Sequence, residues 1–208
     1  MGGKSARRSV RERTNTKLPT TGAEIPYQPE VWNTPLVQRS HNCFSYALNM
    51  LESESVEKCA LRQQKQQMSC RRIWPQPTVP KQYRKRRHDR FQCNIMDPLL
   101  REQLQKVGFH AVSRREACPS GHYRVAFTVS SGDNYHWLRQ DPDGYWSHKD
   151  GGMPTSRVDA SGNAIVDPAT ADFKYANIEY DAFCGYYCVR NELRTDRDSV
   201  LIKSSDNK

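Results

Sequence analysis

The stretch HYRVAFTVSSGDNYHWLRQDPDGYWSHK, residues 122–149, decides the fold. In its first nine residues, large apolar side chains alternate with more polar ones, which predicts a strand over about 122–130. The segments HWLRQ and YWSHK then flank the turn DPDG at 141–144, a composition that favours a tight turn between two strands. A last strand is expected over about 183–190. The second half of the chain therefore predicts an antiparallel sheet.

The stretch HNCFSYALNML, residues 41–51, predicts a helix ahead of these strands. Its apolar residues recur at spacings of three and four, which place them on one helical face. Asn42 is a good N-cap, because its side chain can accept a backbone hydrogen bond from the first turn. We expect a helix over about 43–52, with Cys43 in its first turn.

A second helix is predicted to begin at Asp97, as N-cap, with Pro98 at its first position, and to stop at Gly108. Residues 53–75 are rich in Gln and Arg and are compatible with a further helix. Helices first and antiparallel strands afterwards are typical of an α+β fold.

Two segments carry most of the positive charge. Residues 1–18 hold six Lys and Arg against one Glu, and residues 58–90 hold eleven against one Asp. Because the whole chain has a net charge of +9, the remainder is mildly acidic. The basic segments are predicted to contact a nucleic acid or an acidic partner, and the alternative is that they are solvated and only keep the protein soluble.

The expected domain organisation follows from these patterns: a disordered basic arm at 1–24, one domain at 25–192 with a basic insertion at 58–90, and a polar tail at 193–208. No apolar run is long enough to cross a bilayer, and the N-terminal residues contain no apolar stretch typical of a signal peptide. We therefore expect a cytoplasmic protein with no membrane partner, or a virion component if the protein is viral.

The chain has seven cysteines and no CxxC pair. Without the dense pairing of a small secreted scaffold, we expect a reducing compartment, with most of these cysteines serving as small buried hydrophobes. Cys184 with Cys188, or Cys118 with His122, has the spacing of half a zinc site, but neither has a convincing second half. No metal or organic cofactor is predicted.

Cys43 is a candidate nucleophile, because the free N–H groups of a helix start stabilise a thiolate. A nucleophilic thiol also needs a base, and the base needs an orienting group. His136 opens one hairpin strand and His148 closes the next, so the two imidazoles can lie side by side. Gln140 or Asp141 could orient the base instead of His148.

Each of these residues also has an ordinary structural interpretation. Cys43 could be a buried helix cysteine, His136 a strand residue without a chemical role, and His148 a solvent-facing hairpin residue. The sequence alone does not show whether the thiol and the imidazole meet.

A cysteine at the start of the first core helix, followed by a strand that begins with His and by a third polar residue across a hairpin, resembles the papain-like superfamily, and its NlpC-type endopeptidases in particular. The resemblance implies Cys43 as nucleophile, His136 as base and His148 as orienting residue, with the helix packed on an antiparallel sheet. The sequence Asn42-Cys43-Phe44-Ser45 departs from the Asp-Cys-Ser/Gly-Gly pattern of that family. The hairpin stretch also looks like a segment of uncharacterised proteins from large DNA viruses and bacteria.

The sequence therefore predicts a thiol hydrolase that cleaves a peptide, isopeptide or related amide bond. The alternative is a structural or nucleic-acid-associated protein, of the kind found in virions, that keeps a papain-like fold without catalysis.

Overall fold

The structure, a computed structural model, describes residues 16–65, 69–75, 91–130 and 134–192. In this part of the chain the α-helices are α1 (Pro29–Trp32), α2 (Pro35–Ser40), α3 (Cys43–Ala47), α4 (Ser53–Gln64) and α5 (Cys93–Leu104). The strands are β1 (His110–Val112), β2 (His122–Ser130), β3 (Asn134–Gln140), β4 (Trp146–Lys149), β5 (Thr155–Ser156) and β6 (Ala182–Arg190). They form one antiparallel sheet in the order β1-β6-β2-β3-β4-β5, which confirms the α+β class.

The central strand β2 spans the residues that the alternation predicts. Tyr123, Val125 and Phe127 are buried on the face that packs against α3 and α5, in a core that also contains Phe44 and Leu100. Since successive side chains of a strand point to opposite faces, the residues between them face the other way. A second apolar cluster, which includes Ala126, Leu138, Trp146, Ile165 and Phe173, covers that face.

The predicted hairpin is confirmed. β3 and β4 pair antiparallel, with Leu138 opposite His148 and Gln140 opposite Trp146. The backbone N–H of Gly144 donates to the carbonyl of Asp141 at 2.9 Å, which closes the turn. This hairpin brings the two candidate histidines to the same end of the sheet.

Helix α3 begins where the sequence predicts and ends earlier. The Asn42 side chain accepts from the Ser45 N–H, and the Ser45 hydroxyl accepts from the Asn42 N–H, so a capping box fixes the start at Cys43. The helix ends at Ala47, and Asn49 adopts a φ of 51°. Because the backbone of Asn49 is in the left-handed conformation, the right-handed helix cannot continue through it. The expected end of the helix at about residue 52 is therefore wrong.

Helix α5 begins four residues before the expected cap, so Pro98 lies inside the helix instead of at its start. A disulfide joins Cys93, its first residue, to Cys184 in β6, and this constraint cannot be read from the local sequence. The predicted stop is confirmed: a 3-10 turn (Gln105–Val107) follows the helix, and Gly108 takes a φ of 70°.

The expectation that the cysteines are mostly buried free thiols is wrong. Six of the seven form disulfides, which join Cys59 to Cys70, Cys93 to Cys184 and Cys118 to Cys188. Cys43 is the free one. The cysteines of both candidate zinc half-sites are therefore bound in disulfides.

The described part of the arm also differs from the expected disorder at 1–24. Leu18 is buried in the second cluster, and its carbonyl accepts from the Gln140 side chain at 2.9 Å. The first fifteen residues, most of the basic insertion and the tail lie outside the described residues. No helix in the described ranges has the length and apolar character needed to cross a membrane.

Candidate functional site

Cys43 lies at the first position of α3, against the end of β3. Its side chain is 5% exposed, and its sulfur lies 4.0 Å from the Tyr135 carbonyl oxygen. Burial raises the pKa of the Cys43 thiol to about 12, and the backbone N–H groups of Trp137 and Phe44 only partly offset this effect. The helix start therefore does not produce a thiolate here, because desolvation outweighs the hydrogen bonds that would favour one.

The two histidines do lie side by side. Nε2 of His136 lies 2.9 Å from Nδ1 of His148, and Nε2 of His148 lies 3.0 Å from the Val158 carbonyl oxygen. A carbonyl only accepts, so His148 must carry its proton on Nε2. Its Nδ1 then accepts from Nε2–H of His136, which leaves Nδ1 of His136 without a proton.

Both imidazoles are neutral in this arrangement. Burial lowers the pKa of His136 well below its usual 6.5, and the neighbouring His148 lowers it further. Burial also lowers the pKa of His148, against the opposing effect of the Val158 carbonyl. Both directions favour the neutral imidazole over the imidazolium that an ion pair with a thiolate requires.

No hydrogen bond joins the Cys43 thiol to the His136 imidazole in the structure. Nδ1 of His136, the nitrogen left free by the histidine contact, has no hydrogen-bond partner among the described residues. Cys43 packs in the helix-facing core with Tyr135 and Trp137, the two neighbours of His136 in β3. The ring of His136 instead stacks, at a centroid distance of 5.0 Å, on Tyr180, which belongs to the cluster on the other face.

The alternative orienting residues are engaged elsewhere. The Gln140 amide donates to the Leu18 carbonyl. Asp141 accepts from the Ser147 hydroxyl at 2.7 Å and forms an ion pair with Arg157 at 3.0 Å. Burial raises the pKa of Asp141 to about 6 despite these partners. Of the three candidates, His148 is the one that contacts His136.

A cleft of about 500 Å³ opens beside Cys43. Its walls combine aromatic rings and polar groups, among them Trp74, Phe91, Tyr135, Tyr180, Arg71 and Asp150. The sequence predicts no chemical role for any of these six residues, because isolated aromatic or charged residues in a strand or loop usually belong to the core or to the solvated surface. In the described ranges, no three His, Cys, Asp or Glu side chains come together in a way that could hold a metal ion.

Sequence reasoning also missed Lys149, which is fully buried at the end of β4. Its Nζ donates to three carbonyl oxygens, those of Gln38 at 2.6 Å, Gly151 at 2.5 Å and Met153 at 3.0 Å. Burial lowers the pKa of Lys149 to about 7. The side chain ties α2 to the turn at 150–153, and this turn forms one wall of the cleft.

No protein-family model matches the chain, and no solved structure matches it. Among curated proteins, it is similar to the insoluble matrix shell protein 1 of Ruditapes philippinarum. The two are 30% identical over 146 residues, which cover 70% of this chain and 80% of the shell protein. The chain belongs to the family of this shell protein.

Membership of the shell-protein family overturns the prediction of a thiol hydrolase. The relative is an insoluble matrix protein of a shell, which points to a structural role, so the prediction of a cysteine peptidase is wrong. The geometry agrees with this correction, since burial raises the pKa of the Cys43 thiol to about 12 and no hydrogen bond joins it to Nδ1 of His136. Of the two functions considered from the sequence, the non-catalytic alternative is the one that the relative supports.

Proposed function

We propose that this protein is a non-catalytic structural component of an insoluble extracellular matrix. The observation that carries the proposal is the similarity to the shell matrix protein, which extends over 80% of that protein's length. A similarity of this extent covers most of a domain and not only a short motif.

The disulfides support an oxidising location in place of the cytoplasmic one expected from the sequence. Disulfides persist in secreted and extracellular proteins and are rare in the cytosol. Two of the three bonds close long segments: Cys93 and Cys184 are 91 positions apart in the sequence, and Cys118 and Cys188 are 70 positions apart. Both fasten elements to β6, the second strand of the sheet, as expected for a protein that must keep its shape outside cells.

The buried state of Cys43 supports a structural role for this residue. A catalytic cysteine needs a thiolate that a substrate can reach, whereas this thiol is 5% exposed and its pKa is about 12. A free cysteine in such surroundings behaves as a small hydrophobic side chain.

We further propose that the domain has a papain-like arrangement of helix and sheet but does not carry out cysteine-dependent hydrolysis. Helix α3, which carries Cys43, packs against β3 and β4, the two strands that carry the histidines. The neutral histidine pair then stabilises the end of the hairpin and holds Tyr180 in place.

The basic segments at 1–18 and 58–90 remain proposed contacts for a polyanion, which in a matrix could be an acidic polymer. Contacts of this kind weaken steeply as the salt concentration rises. Titration of the full chain with heparin at several salt concentrations tests this part separately from the structural proposal.

The main experiment is peptide mapping without reduction, on protein extracted from the tissue that produces it. We expect the pairs Cys59–Cys70, Cys93–Cys184 and Cys118–Cys188, recovered from the insoluble extracellular fraction. Recovery from the cytosol with all cysteines reduced would contradict the proposal.

A further inference from the structure

The cleft beside Cys43 has the size of a small-molecule site. Its volume of about 500 Å³ lies within the range of about 300–1,000 Å³ that is usual for ligand pockets. Gly151 and Gly152 line one wall, and Trp74 packs closely against them: a Cβ at Gly151 would lie 2.9 Å from the indole ring.

The aromatic walls are held in place before any ligand arrives. The indole Nε1 of Trp74 donates to the Arg39 carbonyl at 2.7 Å, which fixes the ring over Gly151. Tyr180 stacks on His136 with an angle of 28° between the rings. A site whose rings are already oriented loses less conformational entropy when it binds a ligand.

Several polar groups in this cleft have no protein partner among the described residues. The carboxylate of Asp150 and the guanidinium of Arg71 form no ion pair or side-chain hydrogen bond there. The hydroxyl of Tyr180, on a residue only 6% exposed, likewise forms no hydrogen bond with a described residue. These groups offer both donors and acceptors to a ligand that reaches between the rings.

We infer that this cleft binds a neutral saccharide of one or two rings. The C–H faces of a sugar ring match the faces of Trp74 and Tyr180, and its hydroxyl groups can both donate to and accept from the open polar groups.

Other ligand classes fit the cleft less well. An apolar ligand would bury the Asp150 carboxylate without a partner, which is costly. A phosphate would meet that same negative charge, and Arg71 is the opposing cation that the lining supplies. This inference adds a ligand class to the proposed function. It rests on that proposal in one respect, that the cleft binds a ligand and does not catalyse a reaction.

The test is a calorimetric titration of the full oxidised chain with cellobiose, maltose and N,N′-diacetylchitobiose. We expect saturable binding of at least one of these sugars. Asp150→Asn and Tyr180→Phe keep the shape of each side chain and should each weaken this binding about tenfold, as loss of a central contact does. Glu57→Gln, which removes an exposed carboxylate on α4, is the matched control and should bind like the wild type.

Two outcomes would overturn the inference: no binding of any of the three sugars by the folded protein, or sugar binding that the two cleft variants leave unchanged. Circular dichroism and thermal unfolding show whether each variant is folded. Disulfide mapping and extraction test the structural role without using a sugar, so failure of one proposal is distinguishable from failure of the other.

Discussion

Nε2 of His136 donates a hydrogen bond of 2.9 Å to Nδ1 of His148. In the neutral imidazole of His136, Nδ1 therefore carries no proton. The direction of this bond is fixed at its far end, where Nε2–H of His148 donates to the Val158 carbonyl. The pair therefore uses its protons to link β3, β4 and the following loop. A base that received a proton from a thiol would have to break this pattern or carry a buried charge.

Acid should destabilise the protein through this pair. The folded pKa of His136 lies well below its usual 6.5, so between these two values the unfolded chain binds more protons than the folded one. The free energy of unfolding then falls as the pH falls through this window. For one imidazole that stays neutral in the fold, the loss from about pH 7.5 to about pH 5.5 is about 1.4 kcal/mol.

Urea unfolding of the wild type and of His136→Gln at both pH values measures this contribution. The comparison is needed because burial raises the pKa of Asp141 to about 6 and lowers that of Lys149 to about 7, and both groups titrate in the same range. These two effects are common to both proteins and cancel in the difference. His110→Asn, at an exposed position, is the control. Equal acid sensitivity of wild type and His136→Gln would contradict the assignment.

The disulfides should differ in their contribution to stability according to the segment that each closes. In the chain-entropy account, removal of Cys93–Cys184, whose ends are 91 positions apart, costs about 4.6 kcal/mol. Removal of Cys59–Cys70, whose ends are 11 positions apart, costs about 2.8 kcal/mol. Double Cys→Ser variants, unfolded in urea under non-reducing conditions, give the two values. A larger loss for the short segment than for the long one would show that strain or residual structure, and not chain entropy, governs the stability.

Lys149→Met should destabilise the protein strongly. The substitution keeps most of the side-chain volume but leaves the three carbonyl oxygens of Gln38, Gly151 and Met153 without their donor. We expect a loss of about 3 kcal/mol in the free energy of unfolding.

Lys174→Met is the matched control, because Lys174 is exposed and its ion pair with Glu179 should contribute at most about 1 kcal/mol. Similar losses for the two variants would show that the buried lysine is not a structural tie.

Gly151→Ala should move Trp74. A Cβ at this position would lie 2.9 Å from the indole ring, and the backbone φ of +49° is one that alanine rarely adopts. Because the indole is held by its bond to Arg39, it cannot shift without cost. Gly162→Ala has a similar φ of +79° but meets nothing within 4 Å, so it measures the backbone strain alone.

Gly151→Ala should therefore lose about 1 kcal/mol more than Gly162→Ala and should change the tryptophan fluorescence. Equal losses with an unchanged emission spectrum would show that the ring is free to move and that the cleft wall is not preorganised.

The sequence predicts the elements whose pattern is local. The alternation along β2, the turn at 141–144 and the stop at Gly108 all depend on residues that are neighbours in the chain, and the structure contains each of them. The start of α5 could not be predicted in the same way. Its Asp97-Pro98 pair is a good local start signal, yet the helix begins at Cys93, the residue that is bonded to Cys184 in β6.

Of the candidate site, only the part that depends on the pairing of the two hairpin strands could be predicted from the sequence. The spacing of His136 and His148 along two adjacent strands brings their rings together, and this is visible in the sequence. The surroundings of Cys43 are not visible there, because its pKa depends on burial under residues that are distant in the chain. Helix position favours a thiolate and burial opposes it, and the sequence shows only the first effect.

The most direct test of the non-catalytic account is the alkylation of Cys43 by iodoacetamide in the native, unreduced protein from about pH 6 to about pH 9. With a thiol pKa of about 12 and 5% exposure, we expect almost no alkylation over this range, the same result in His136→Gln, and rapid modification only after unfolding. Fast alkylation of the folded wild type near pH 6 that is lost in His136→Gln would reveal an activated Cys–His pair and would contradict the account.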